Sequence, residues 1–287
     1  VEPARQAVRE VFIRHIVQAK GLDRAREYVG EVVMPTPMAV LNMTELLAKG
    51  AGQEAGLGDT VVVDIGGATT DVHSACWGEP VAMDIPVIGL QEPFAKRTVE
   101  GDLGLRVSAK SLLEVAKRNS LPRDMAMALI TNQAWMRAEY LVSHTETLPH
   151  TQAEMELDVA MARAAAYLSM ERHAGVVETV QTPSGFQTVQ RGKDLTDVNA
   201  LIGTGGVFSF GVQPSAVLAA CLSDAVNPFS LRPKHPQLYV DGNYILYAGG
   251  LLSTVYPEKA LRLVKGSLRL VDTPASSTPS KGKGEGG

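Results

Sequence analysis

The sequence has few cysteines, few aromatic residues and no excess of basic residues, and each shortage argues against a class of protein. Its 287 residues include only two cysteines, Cys76 and Cys221, which cannot build a disulfide framework, so we expect a reducing cytoplasm. Lysine and arginine number 27 against 31 acidic residues, and the net charge of −4 argues against a broad nucleic-acid-binding surface. Aromatic residues make up 5%, which favours backbone-lined loops over stacking platforms.

The longest uncharged stretch does not have the pattern of a membrane-spanning helix. Residues 199–223 carry no charge, but four glycines, Gln213 and Pro214 interrupt them. A spanning helix needs about 20 consecutive, mostly apolar residues. The stretch instead predicts a buried strand, a glycine-rich loop and a helix from about Pro214. The chain begins at Val1 rather than at a methionine, and we expect it to be a piece of a longer protein.

The order of apolar patterns predicts an α/β protein, with a mixed sheet and helices on both of its faces. Residues 1–272 are expected to form one region, and the low-complexity residues 273–287 a disordered tail. The sequence between 50 and 58 predicts a loop, and that between 79 and 96 irregular or extended chain. Helices are predicted over 1–20, 24–28, 39–48, 105–119, 123–143, 151–173, 215–225, 244–255 and 257–271. Strands are predicted over 61–65, 71–76, 176–182, 186–190, 198–202 and 237–241.

A glycine pair between two predicted strands is the first candidate site. It predicts a hairpin, whereas the phosphate loops of P-loop and Rossmann proteins open a helix. The glycines let a phosphate approach the backbone amides, and the threonine hydroxyls are further donors. The flanking carboxylates suit a divalent cation beside the phosphate, or the orientation of an attacking water. The residues are Asp64, Gly66, Gly67, Ala68, Thr69, Thr70 and Asp71.

A second glycine cluster follows another predicted strand and is the second candidate site. Bare backbone after a buried strand would let a flat base and its ribose lie close to the chain. Taken alone this signal is weak, and it gains weight from the first motif in the same chain. The residues are Gly203, Thr204, Gly205 and Gly206.

Both motifs resemble those of a known superfamily. The stretch 64–71 is similar to the second phosphate motif of the actin, DnaK-chaperone and sugar-kinase ATPases, and 203–206 is similar to their adenosine motif. More narrowly, four stretches resemble the GlmL/MutL accessory proteins of coenzyme-B12-dependent glutamate mutase, which are distinct from the mismatch-repair protein called MutL. These stretches are 2–7, 34–37, 61–74 and 97–104, and the resemblance extends over about residues 1–270.

The resemblance implies an actin-like, ribonuclease-H-like ATPase fold that binds ATP or ADP with Mg²⁺. Asp64 and Asp71 would be the catalytic acids, and Asp64 would hold the metal directly or through water. The partner would be a subunit of an adenosylcobalamin-dependent mutase, with the protein acting as its reactivating factor. The family's first phosphate motif is absent here. We therefore expect half of a two-lobed clamp, with hydrolysis in the full-length protein and negligible turnover by this chain alone.

Two other classes of function remain open from the sequence. One is a sugar-kinase-like or hydantoinase-like ATP-dependent enzyme with the same phosphate hairpin, for which Asp241-Gly242 is a candidate acid motif after a late strand. The other is an interaction module that does not hydrolyse ATP. None of the six histidines has the spacing of a metal-binding pair.

Overall fold

The computed structural model describes residues 34–183 and 185–272. The predicted helices over 1–20 and 24–28 and the predicted disordered tail over 273–287 lie outside these residues. The helices are α1 Thr36–Lys49, α2 Ala109–Arg118, α3 Arg123–Leu129, α4 Asn132–Ser143, α5 Gln152–His173, α6 Gly206–Ser209, α7 Pro214–Ala219, α8 Leu246–Leu252 and α9 Pro257–Ser267. The strands are β1 Gly50–Ala51, β2 Glu54–Ala55, β3 Thr60–Ile65, β4 Thr70–Ala75, β5 Val87–Ile88, β6 Ala95–Glu100, β7 Val176–Thr182, β8 Gly185–Arg191, β9 Ala200–Thr204, β10 Gln237–Asp241 and β11 Leu268–Leu270.

A six-stranded mixed sheet forms the centre of the described region. Its strand order is β11-β10-β9-β3-β4-β6. Strands β3, β9 and β10 are parallel, whereas β4, β6 and β11 each pair antiparallel with their neighbours. The carboxyl ends of parallel strands meet at one edge of a sheet, so β3, β9 and β10 bring the residues that follow them together. Strands β5, β8 and β7 form a separate three-stranded sheet, and β1 pairs with β2.

Alternation along β3 shows that the sheet is covered on both faces. Val61 and Val63 belong to the larger apolar core, which includes residues of α2 to α5 and α7. Val62 points to the other face and packs in a smaller core with residues of α1, α8 and α9. Successive side chains of a strand point to opposite faces, so a continuous valine run fits a strand that is buried on both sides. The predicted α/β class, mixed sheet and helices on both faces are confirmed.

Helix α5 is the longest helix of the described residues and begins at a capping box. The Thr151 hydroxyl accepts a hydrogen bond from the Glu154 amide at 3.2 Å, and the Glu154 carboxylate accepts one from the Thr151 amide at 3.2 Å. These bonds satisfy two amides that the first turn would otherwise leave without partners. No helix of residues 34–183 or 185–272 is both long enough and apolar enough to cross a membrane.

Several predicted boundaries were wrong. The helix predicted over 123–143 is divided into α3 and α4, because Thr131 caps a new helix by accepting a hydrogen bond from the Ala134 amide at 3.1 Å. The last helix ends at Ser267, and the chain continues as β11, which pairs with β10. The predicted loop over 50–58 contains the small β1–β2 hairpin. Strand β6 was not predicted, because its mixed polar sequence lacks the pattern of a buried strand.

Candidate functional site

The first glycine motif forms a hairpin, as its sequence predicted. Strands β3 and β4 pair in register from Thr60 with Ala75 to Ile65 with Thr70. Four residues, 66 to 69, connect them, and a hydrogen bond of 2.9 Å from the Gly66 amide to the Thr69 carbonyl closes the turn. We call residues 66–69 the phosphate turn, after the ligand that the sequence predicts for them. Because strand follows strand here, the turn does not open a helix.

One side of the phosphate turn is held by the segment that follows β6. The carbonyls of residues 66, 67 and 68 accept hydrogen bonds from the Leu105 amide at 3.1 Å, the Arg106 amide at 2.8 Å and the Ser108 hydroxyl at 2.8 Å. Gly104 allows this close approach, because a Cβ there would lie 2.3 Å from the carbonyl carbon of Ala68. The turn is therefore fixed through its carbonyl groups.

Three of the four amide groups of the same turn have no acceptor in the described part of the chain. The N–H groups of Gly67, Ala68 and Thr69 donate to no atom of residues 34–183 or 185–272. Gly67 and Ala68 are exposed to solvent. Free consecutive amides on a turn whose carbonyls are occupied form the kind of surface that binds an anion.

The two threonines of the motif have different environments. The Thr70 hydroxyl is buried and donates to the Leu103 carbonyl at 2.8 Å. The Thr69 hydroxyl is partly exposed and donates to Asp71 Oδ2 at 3.0 Å. Thr70 thus anchors the hairpin to the chain after β6, and Thr69 lies beside the free amides.

Asp71 is one of two acids at the base of the turn, and it is paired with a cation. It is 6% exposed and lies opposite Asp64 in the β3–β4 ladder. Arg97 of β6 donates to Asp71 Oδ1 from Nε at 2.8 Å and reaches the same oxygen with a terminal nitrogen at 2.6 Å. Charge-assisted bonds of this kind are the stronger hydrogen bonds of proteins, and they occupy the carboxylate. Arg97 was not among the predicted site residues, because it lies on the unpredicted strand β6.

Asp64 is the acid of this pair that has no donor among residues 34–183 and 185–272. The ladder bonds of Asp64 involve its backbone, and neither a side chain nor an amide of the described residues donates to its carboxylate. Burial raises its pKa to about 6, and the charges of Asp71 and Asp241 act in the same direction, while Arg97 opposes them. Asp64 is half-buried, and a carboxylate that is partly withdrawn from water and has no donor among the described residues is stabilised when a cation binds beside it.

The second glycine motif lies against the first. β3 and β9 are neighbours, with Asp64 opposite Thr204. Gly205 follows with φ +99°, and a Cβ there would lie 2.6 Å from the Ile65 carbonyl oxygen and 3.0 Å from an Asp64 carboxylate oxygen. A side chain at this position would be strained and would collide with β3, so glycine is required. The structure therefore brings the two predicted motifs together.

The other residues of the second motif differ in their surroundings. Gly203 is buried beneath the Phe208 ring, which would lie 2.5 Å from a Cβ. Gly206 is exposed, and a Cβ there would meet no atom of the described chain within 4 Å. Gly203 thus serves internal packing, whereas Gly206 presents bare backbone at the edge of the sheet.

A third acid, Asp241, lies at the end of β10 and accepts hydrogen bonds from the second glycine motif, the start of α8 and the end of α9. It is fully buried, and its Oδ2 accepts from the Thr204 hydroxyl at 3.1 Å and the Leu246 amide at 2.8 Å. Its Oδ1 accepts from the Ser267 hydroxyl at 2.8 Å. These three donors occupy the carboxylate, so Asp241 positions the second glycine loop and the start of α8. This arrangement does not support the alternative, left open by the sequence, in which Asp241 is a kinase acid.

The acids at this edge do not form a metal cage by themselves. Across residues 34–183 and 185–272, no group of three or more His, Cys, Asp and Glu side chains is arranged to hold a metal ion. Mg²⁺ is usually held by one or two carboxylates together with water and the oxygens of a bound phosphate. Asp64 is a carboxylate of the kind that such a site takes from the protein.

The fold and this edge define an α/β protein in which two glycine loops and three acids meet at the ends of parallel strands. A family model described as "MutL protein" matches residues 1–268. The chain is 45% identical over 265 residues to Protein MutL of Clostridium tetanomorphum, covering 92% of this chain and 57% of that relative. The chain therefore belongs to the MutL protein family, as its resemblance indicated, and spans 57% of the length of that relative.

Proposed function

We propose that this chain is the phosphate-binding part of an actin-like, ATP-dependent accessory protein that reactivates an adenosylcobalamin-dependent mutase. Glutamate (methylaspartate) mutase and ornithine aminomutase are the proposed partners. The observation that carries ATP binding is the phosphate turn, whose carbonyls are bonded to the protein while the amides of Gly67, Ala68 and Thr69 have no acceptor among the described residues. Membership of the MutL family supports the link to the mutase.

The phosphate turn would bind the terminal phosphates of ATP or ADP through its free amides. Each charge-assisted hydrogen bond is worth roughly 1.5–3 kcal/mol, so three of them are sufficient to anchor a phosphate chain. The turn needs little rearrangement to do so, because Leu105, Arg106 and Ser108 already fix its carbonyls. A turn fixed in advance loses little conformational entropy when a ligand binds.

Asp64 would hold Mg²⁺ beside the phosphates, directly or through water. A phosphate at the turn and an ionised Asp64 repel each other unless a cation lies between them. The unpaired Asp64 carboxylate fits that cation, whereas Asp71 is neutralised by Arg97. Bound Mg²⁺ would neutralise charge on the phosphates. Asp64 or Asp71 would then orient the attacking water in the full-length protein.

The second glycine loop would accept the nucleoside. Gly205 lies against β3 and Gly206 is exposed beside it, so a sugar at this place would meet backbone rather than side chains. Both cysteines of the sequence, Cys76 and Cys221, are buried free thiols, which fits the cytoplasm we propose as the location of the protein.

Gly206→Ala is the sharpest test of ATP binding. The added methyl group meets no protein atom within 4 Å, so it tests contact with the ligand rather than packing. We expect isothermal calorimetry with Mg-ATP to show at least about tenfold weaker binding, since a displaced phosphate or sugar contact costs about 1.4 kcal/mol or more. The matched control is Gly266→Ala on α9, which is also exposed and open, and it should bind ATP as the unsubstituted chain does.

The outcomes separate the proposal from its alternatives. Absence of Mg-ATP binding by the unsubstituted chain at millimolar concentration would contradict an ATP site. The mutase role is tested by adding the chain, ATP and adenosylcobalamin to inactivated glutamate mutase and measuring the recovered activity. We expect recovery to require the full-length protein to which this chain belongs, and no recovery with that full-length protein would contradict the reactivating role.

A further inference from the structure

Three aromatic side chains lie together on the surface close to the candidate site. The Phe210 and Tyr244 rings have centroids 6.4 Å apart at 86°, and the Tyr244 and Tyr247 rings have centroids 5.9 Å apart at 63°. Their exposed fractions are 76%, 41% and 39%. We call these three residues the aromatic shelf. Edge-to-face contact covers at most one face of one ring in each pair, and the exposed fractions show that ring surface remains open to solvent.

Two residues of the aromatic shelf directly follow segments of the proposed site. Phe210 follows the second glycine motif, and Tyr244 follows β10. The Phe210 amide donates to the Gly206 carbonyl at 3.0 Å, one turn after the second glycine motif. The Tyr244 amide donates to the Asp241 carbonyl at 3.3 Å, just after β10.

Tyr244 has a strained backbone. Within residues 34–183 and 185–272 it is the one non-glycine residue with positive φ, at +54°. A bulky residue rarely adopts this conformation, and such outliers concentrate at binding sites. Asparagine would fit the same conformation with less strain, so the demands of the turn alone do not explain a tyrosine.

Packing in the core does not explain why residue 210 is a phenylalanine. Phe208, two residues earlier, is 2% exposed and packs on Gly203, so this segment already supplies its aromatic side chain to the core. Phe210 points outward and gains no comparable burial. Large apolar side chains that are exposed together are typical of surfaces that bind a ligand or a partner.

We propose that the aromatic shelf is the stacking surface for the nucleobase of the bound nucleotide, with Phe210 as its principal contact. This inference rests on the proposed ATP site and adds the residues that recognise the flat ring. Stacking on an aromatic side chain contributes affinity without reading the edge of the base. The shelf therefore favours nucleotides over other polyphosphates and leaves discrimination among bases to other groups.

The test compares two probes, Mg-ATP and Mg-tripolyphosphate, which share the phosphates and differ in the base and sugar. We expect the unsubstituted chain to bind ATP more tightly than tripolyphosphate. Phe210→Ala should weaken ATP binding by about 5- to 150-fold, the range observed when a stacking aromatic is removed, and leave tripolyphosphate binding unchanged. Tyr244→Asn, which fits the left-handed backbone, should act in the same direction. Phe210→Trp should retain ATP binding.

Phe186→Ala is the matched control. Phe186 is 81% exposed and lies on β8 of the separate three-stranded sheet, so its removal should change neither probe. Unchanged ATP affinity in Phe210→Ala, or an equal loss for both probes, would overturn the shelf while leaving the ATP site intact. Equal affinities of the unsubstituted chain for the two probes would also overturn the shelf. Failure of the unsubstituted chain to bind either probe would overturn both proposals.

Discussion

Asp64 and Asp71 face each other across the β3–β4 ladder, and Arg97 pairs with Asp71 alone. The two carboxylates therefore differ although they lie side by side. Burial and the charge of Asp71 raise the pKa of Asp64 to about 6, while Asp71 is held by the guanidinium. Neighbouring acids in unlike environments are a common arrangement in catalytic sites. Asp64 is the member of the pair that is free to meet a ligand.

Asp64→Asn should weaken nucleotide binding in the presence of Mg²⁺ more than in its absence. The substitution keeps the size of the side chain and removes the charge that would attract the cation. Titrations with ATP in Mg²⁺ and in EDTA measure both affinities. Equal losses under the two conditions would count against a metal role for Asp64.

Binding of Mg-ATP should also fall as the pH drops through about 6. The pKa of Asp64 is raised to about 6, so the carboxylate that attracts the cation becomes protonated below that pH. Calorimetry between pH 5 and 8 measures the profile, with pH corrections for the phosphates of ATP. In Asp64→Asn the loss of Mg-ATP affinity near pH 6 should disappear. If the affinity of that variant fell with pH as before, a group other than Asp64 would cause the loss.

Gly67→Val should abolish ATP binding or weaken it by at least about tenfold, the equivalent of one charge-assisted hydrogen bond. Neither Gly67 nor Gly66 has positive φ, so the glycine is needed for space rather than for its backbone angles. A Cβ at Gly67 lies 3.3 Å from Arg106 Cβ, and a branched side chain would crowd the exposed amides. A thermal melt of the variant shows whether the fold is retained. A folded variant that binds ATP normally would exclude the phosphate turn as the binding site.

Gly104→Ala should lower the free energy of unfolding by about 1–3 kcal/mol, the usual cost of overpacking. Its Cβ would lie 2.3 Å from the carbonyl carbon of Ala68, and both atoms belong to rigid segments. Gly101→Ala, three residues earlier, meets nothing within 4 Å and should change stability by less than about 0.5 kcal/mol. Urea denaturation of the two variants makes the comparison. Equal stabilities would mean that the turn is not held against residues 104–108.

Acid should destabilise the protein through its buried histidines. Burial, with the charge of Arg97, lowers the pKa of His73 to about 3, and burial lowers the pKa of His173 well below its ordinary value. The unfolded chain takes up protons near pH 6.5 and the folded chain does not, so this stability is complete above 6.5 and is lost as the pH falls. For His73 the loss at pH 5 is about 2 kcal/mol.

His73→Leu isolates this effect. Neither ring nitrogen of His73 has a hydrogen-bond partner among the described residues, so leucine removes the proton uptake without breaking a bond. We expect a shallower decline in the free energy of unfolding between pH 7 and 5. The exposed His235→Gln is the control and should leave the slope unchanged. An unaltered slope in His73→Leu would contradict the assignment.

The hairpin could be predicted from sequence because its signals are local. A β-branched run predicted β3, the glycine pair predicted a turn, and alternation predicted β4. The capping box of Thr151 and Glu154 likewise marks the start of α5. The division of residues 123–143 into two helices was missed because both halves have helical sequences, and the Thr131 cap is a weak signal within a long apolar pattern.

The roles of the site residues depended on contacts between distant segments. The sequence by itself determined the two glycine motifs and predicted the site residues, namely the glycines, threonines and acids of these motifs. Tertiary structure alone decided that Arg97 holds Asp71, that three donors occupy Asp241 and that Asp64 has none among the described residues. It also gathered Phe210 and Tyr244 into one surface from a sequence that is poor in aromatic residues. The physical reason is that a side chain's partners, and hence its charge and availability, are set by packing across the sheet, whereas a turn or a cap is set by neighbours along the chain.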